Sequence, residues 1–126
     1  MRAVFTVAAL LGVSTFFAGA ALADGDAAAG ATYFRSRCSS CHTSEHGGPN
    51  KIGPNLFGVY GRHAGLGSGY TYSLALQTSG IVWTADKLKA FLASPRTAAP
   101  GTKMTFAGIS KDADRANVIA YLATLK

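Results

Sequence analysis

Two cysteines and a histidine stand in one short run, Cys38-Ser39-Ser40-Cys41-His42, and the chain has no other cysteine. This pentapeptide constrains the fold more than any other feature, because each chemistry that uses such a pair needs different surroundings. A thioredoxin-like redox pair wants a strand before it and a βαβ unit around it. Here the residues before Cys38 carry a helical pattern and those after it read as loop. A structural zinc ion needs four ligands, and a second cysteine pair is missing. Attachment of a c-type haem needs only what is present: a thiol for each haem vinyl group and a histidine beside the second thiol to ligate iron. A gap of two residues sets both thiols on one turn of chain against one haem edge, with the imidazole within reach of the metal.

The N-terminus agrees with that chemistry. Arg2 is followed by a stretch without charge from Ala3 to Ala23, ending in Ala21-Leu22-Ala23 before the polar Asp24. This is the pattern of a secretory signal peptide over residues 1–23, and haem attachment of this kind is made outside the bacterial cytoplasm. The expected location is the periplasm. A retained membrane anchor is the rival, since the stretch is long enough to span a bilayer. Its richness in Ala, Gly, Ser and Thr and its small-residue end favour cleavage. Removing 23 of 126 residues leaves 103, one domain over residues 24–126. A chain of that size buries a modest core, which a large apolar cofactor would enlarge. Losing Arg2 takes the basic count from 12 to 11 against 6 acids, a net charge of +5. Such an excess can mean nucleic acid, an anionic membrane or an acidic protein partner; here the basic residues are scattered singly and do not interleave with aromatics, which argues against nucleic acid.

The rest of the chain reads as helices joined by long loops. Asp26 caps a first helix running to about Arg37, with Gly30, Phe34 and Cys38 along one face. From Thr43 to Gly69 the chain is rich in glycine, holds Pro49 and Pro54, and lacks strand-like alternation. Gly65-Leu66-Gly67-Ser68-Gly69 has the wrong spacing for a dinucleotide-binding loop and reads as a turn. Tyr72 to Thr78 predicts a short helix stopped by Gly80. Thr84 caps the next, with Asp86 in its first turn, an apolar face of Leu88, Phe91 and Leu92, and a stop at Pro95. Ser110 or Asp112 opens the last, where Val118, Leu122 and Leu125 recur at helical spacing with Tyr121 at the edge. The expected fold is all-α, three main helices plus short ones, with long loops wrapped around one covalent haem.

The second axial position on iron decides the function. An open iron could bind oxygen species or act as a peroxidase, whereas a closed one passes electrons. Beyond the signal peptide the only methionine is Met104, in Pro100-Gly101-Thr102-Lys103-Met104-Thr105-Phe106. A methionine is more often core filler, but these neighbours make a poor core sequence, which favours Met104 as ligand. His46 is too near His42 to reach the other haem face easily, and it and His63 sit in polar loops as expected surface residues.

From Gly25 to the C-terminus the chain resembles class I cytochrome c, in the bacterial group closest to mitochondrial cytochrome c. The resemblance rests on CSSCHT at Cys38–Thr43, GPNLFG at Gly53–Gly58, YGR at Tyr60–Arg62, GYTYS at Gly69–Ser73, GIVW at Gly80–Trp83, PGTKMTFAGI at Pro100–Ile109 and VIAYL at Val118–Leu122. It implies one covalent haem c per chain, held by Cys38 and Cys41, with His42 and Met104 as axial iron ligands. It further implies that the Pro54 carbonyl accepts the Nδ1 proton of His42. Arg62, Tyr72 and Trp83 would hydrogen-bond a buried haem propionate, and Phe106 would shield the haem beside Met104. Gly30 and Phe34 would meet Tyr121 and Leu122 where the first and last helices cross.

Three features depart from the family pattern. Leu76 stands where the family commonly has a buried Asn, and Phe91 where it commonly has Tyr. The lysine ring around the haem edge is thinner: Arg37, Lys51, Arg96, Lys103 and Lys111 remain, with Asp112 and Asp114 beside the last. The function implied is a monomeric, soluble one-electron carrier and not an enzyme. It would take electrons from a membrane cytochrome bc complex and pass them through a basic haem-edge surface to a terminal oxidase, a reaction centre or a reductase. A membrane-tethered electron-transfer module and a haem peroxidase are the alternatives.

Overall fold

Asp26 begins the first helix as its sequence predicts. Its backbone is extended, and its side-chain oxygen accepts from the N–H groups of Ala28 and Ala29, so α1 runs over Ala27–Arg37. In the computed structural model, residues 25–126 are described. The predicted signal peptide lies outside the described residues. Ser73 accepts from the N–H of Leu76 and opens α2 (Leu74–Gln77), which therefore excludes Tyr72, the expected start. Thr84 accepts from the N–H of Lys87 to open α3 (Ala85–Ala93). Pro95 does end α3, but it also occupies the first turn of a short α4 (Pro95–Ala98), which the sequence reading did not foresee. A proline lacks the N–H that a first turn leaves unpaired, so it stops one helix and starts the next without cost. The last helix, α5 (Asp112–Ala123), starts at Asp112 rather than Ser110 and has two aspartates in its first turn facing the positive end of the helix dipole.

The described residues contain no strand, only an isolated antiparallel bridge between His63 and Val82. The fold is the expected all-α arrangement of three main helices, two short ones and long loops. Its frame is the crossing of α1 and α5. A Cβ on Gly30 would overlap the backbone of Asn117, so glycine is required for the helices to approach this closely. The rings of Phe34 and Tyr121 pack at 5.4 Å beside the crossing. Asn117 Oδ1 accepts from the N–H of Asp26 at 2.8 Å, which ties the start of α1 to the middle of α5. No helix among the described residues is long and apolar enough to cross a membrane.

Candidate functional site

The last turn of α1 runs directly into Cys38, so this helix delivers the cysteine pair to a large cavity. The cavity measures about 360 Å³ and is walled by residues of α1, α3, α5 and the loops between them. Cys38, Cys41 and His42 line it, as do Met104, Phe106 and Lys103 from the loop before α5. The two cysteines are half-buried and are not joined to each other in a disulfide. Burial, reinforced by the neighbouring Cys41, pushes the Cys38 thiol up to about 11.

His42 is buried, and its Nδ1 lies 2.7 Å from the carbonyl oxygen of Pro54. A Cβ on Gly53 would overlap the imidazole, so only glycine leaves room for the ring there. Burial holds His42 below its usual range, an effect that the Pro54 carbonyl partly offsets. Burial thus favours the neutral ring, and the carbonyl at Nδ1 favours the tautomer in which Nδ1–H donates to Pro54 and Nε2 is left as a ligand atom.

The loop around His42 is densely stitched. Asn55 Nδ2 donates to Thr43 Oγ1 at 2.7 Å and to the Glu45 carbonyl at 3.0 Å, while Asn55 Oδ1 accepts from the N–H of Phe57. Thr43 Oγ1 donates to the Pro49 carbonyl, and Asn50 Oδ1 accepts from the N–H of Asn55. Sequence reasoning quoted Asn55 inside a motif and gave it no role. Its polar side chain among Pro54, Leu56 and Phe57 was the available signal.

Arg62, Tyr72 and Trp83 also line the cavity. The Nε of Arg62 and the hydroxyl of Tyr72 are buried without a hydrogen-bond partner, and a Cβ on Gly67 would overlap that hydroxyl. Two unpaired buried donors cost free energy unless an acceptor meets them, so the chain is built for an acidic group at this end of the cavity. Trp83 meets Phe91 edge-on at 4.9 Å, both rings buried. Phe91 and Leu76, the two departures noted in the sequence, both line the cavity and make its wall apolar there. His46 and His63 do not line it; His46 instead packs edge-on against Phe57. Two thiols, a neutral imidazole with a free nitrogen, a thioether and unpaired donors around one largely apolar cavity fit a covalently held haem.

Comparison with known proteins agrees. The family model for cytochrome c matches residues 27–126. The chain belongs to the cytochrome c family. It is 52% identical over 99 residues to a cytochrome c of Theileria parva, covering 79% of this chain and 85% of that one. It is 49% identical over 102 residues to a cytochrome c of Euglena viridis, covering 81% and 99%. A bacterial relative, a cytochrome c homolog of Bradyrhizobium diazoefficiens, is 52% identical over 90 residues, covering 71% of this chain and 49% of the longer protein. Membership means that the chain carries covalent haem c and is an electron carrier rather than an enzyme.

Proposed function

We propose that this family member is a soluble, monomeric periplasmic carrier of single electrons, with His42 and Met104 as the axial ligands of its haem iron. The bound haem supplies a one-electron ferric/ferrous couple. Cys38 and Cys41 hold it through thioether bonds. His42, oriented by its hydrogen bond to the Pro54 carbonyl, offers Nε2 to the metal, and that hydrogen bond makes it a stronger donor. Met104 would supply the second protein ligand to iron, which would keep oxygen species off it and confine the site to electron transfer. Arg62, Tyr72 and Trp83 hydrogen-bond a propionate. Leu76, Phe91 and Phe106 exclude water from the ligand side.

The observation that carries this reading is that both thiols, the Pro54-bonded His42 and Met104 line one cavity. Arg37 and Lys103 stand at that cavity too, and with Lys51, Arg96 and Lys111 they form the basic surface offered to membrane partners. The donor is a cytochrome bc complex and the acceptor an oxidase, reaction centre or reductase. Export in a bacterial host that matures c-type haem tests the proposal. The periplasmic fraction should yield a protein lacking residues 1–23, carrying one haem by mass, and showing the long-wavelength ferric band of methionine on iron. Membranes of the source organism should reduce and reoxidise it. Absence of the band, or peroxide turnover by the ferric protein, would remove the His/Met carrier assignment.

A further inference from the structure

The loop that carries Met104 has few hydrogen bonds of its own, although Met104 and Phe106 pack against the core. Among the described residues, no backbone group from Lys103 to Gly108 bonds another backbone group. Within the stretch the N–H of Met104 makes a long contact of 3.4 Å to Thr102 Oγ1, and the Lys103 ammonium donates to the Thr71 carbonyl. The loop is anchored at its ends. Before it, the N–H of Thr102 donates to the Ala99 carbonyl; after it, the N–H of Ile109 donates to the Leu92 carbonyl at 2.8 Å.

The second anchor has an unusual support. Arg115, on α5, is a buried cation. One guanidinium nitrogen donates to the carbonyls of both Ile109 and Ser110, and the other to the carboxylate of Asp112. Charge-assisted bonds of this kind are roughly twice as strong as neutral ones. A residue this costly to bury gives one nitrogen to the segment that returns from Met104 and the other to Asp112 of its own helix, while its Nε has no partner. Ile109 is itself 2% exposed, so its backbone has no water to replace a lost guanidinium.

We propose that Arg115 is a positioning residue for Met104. By clamping the Ile109–Ser110 carbonyls to α5, it sets the end of a hydrogen-bond-poor loop and so controls how readily the thioether leaves iron. The inference rests on Met104 being the ligand. Its mechanism is mechanical: without the clamp, the loop swings away at lower cost, and an external ligand competes more easily for the vacated position. Lysine keeps the charge at this site but is a single point donor and cannot fork to two carbonyls and a carboxylate.

The test is an imidazole titration of the ferric holoprotein at constant pH, read at the long-wavelength methionine–iron band. Arg115→Lys should fold, show the band, and lose it at an imidazole concentration lower by roughly tenfold, the factor that 1.4 kcal/mol of ligand stabilisation represents. Arg115→Met should lose it more easily still, or fail to fold, in which case the lysine variant decides. Asp26→Ala, which removes the cap of α1 far from this loop, should lower denaturant stability while leaving the imidazole midpoint where it is in the parent protein. An Arg115→Lys midpoint equal to the parent's overturns the proposal. So does an equal shift in Asp26→Ala, because the effect would then track global stability. A parent protein without the band instead refutes Met104 as ligand, a separate failure.

Discussion

Between Thr43 and Leu56 the chain is bound to itself by backbone pairs such as Leu56 N–H to the Thr43 carbonyl and Gly53 N–H to the Cys41 carbonyl, and by the side chains of Asn55, Asn50 and Thr43. Between Lys103 and Gly108 there is no backbone pair at all. Both loops bring a candidate ligand to the same cavity. The contrast teaches that stability is distributed unevenly around the site. The His42 side is made rigid locally, because the donor strength of an imidazole depends on its orientation and its Nδ1 partner. The Met104 side lacks such backbone pairs and is held by its anchored ends, by the Lys103 ammonium on the Thr71 carbonyl and by the packing of Met104 and Phe106 on the core.

Four measurements test this contrast. The largest effect belongs to Met104→Ala, which should keep covalent haem but admit water or added ligands to iron. The reduction potential should fall by on the order of 0.1 V or more, within the roughly 0.8 V span over which axial ligands act. Redox titration and the ferric spectrum check it, and an unchanged spectrum would falsify the ligand assignment.

Asn55→Ala comes next. It removes three side-chain hydrogen bonds from the stitched loop and should cost about 2–3 kcal/mol, visible as a lower denaturant midpoint. The comparison predicts that the methionine–iron band survives at neutral pH. Its loss would show that the two loops are coupled rather than independent.

Phe91→Tyr acts on the bare side. A hydroxyl directed at the Met104 sulfur would weaken its bond to ferric iron more than to ferrous, raising the potential and easing displacement at alkaline pH, with Lys103 the expected replacement ligand. With Leu76 and Trp83 as apolar neighbours in the cavity wall, a hydroxyl that finds no other partner would cost about 1–3 kcal/mol. A lower potential, or greater resistance to alkali, would show that the hydroxyl does not act on sulfur.

The smallest effect is electrostatic. Lys51 belongs to the stitched loop and Lys103 to the bare one, and each ammonium is already bonded to a carbonyl, Ser39 and Thr71 respectively. Reaction with an acidic partner should slow as salt rises. Replacing either lysine with Gln should slow it by about twofold at low ionic strength and leave the potential unchanged. Stopped-flow rates against ionic strength would show it, and rates that increase with salt would mean a basic partner.

The sequence made the main helices legible where a short polar side chain caps them, as at Asp26 and Thr84, because such caps act within three residues. The start of α2 was placed too early because the cap is Ser73 rather than a residue before Tyr72. The short α4 escaped because Pro95 was weighed only as a stop. The cysteines, His42 and Met104 announced themselves through local spacing and scarcity. Arg115 and Asn55 did not, since their partners are carbonyls and hydroxyls that no sequence pattern marks. Arg115 did leave a trace: it lies three residues before Val118 and seven before Leu122, on the apolar stripe of α5, where a cation must be paired to be buried.

The crossing of α1 and α5 carries a consequence for biosynthesis. The bond between Asp26 and Asn117 joins positions 91 residues apart, and Val118 and Leu122 of α5 complete the cavity wall. Until that final helix docks, the wall beside Phe34 is missing and the two thiols stand open to whatever machinery must reach them. The cavity is thus finished by the stretch of chain most distant in sequence from the cysteines it encloses.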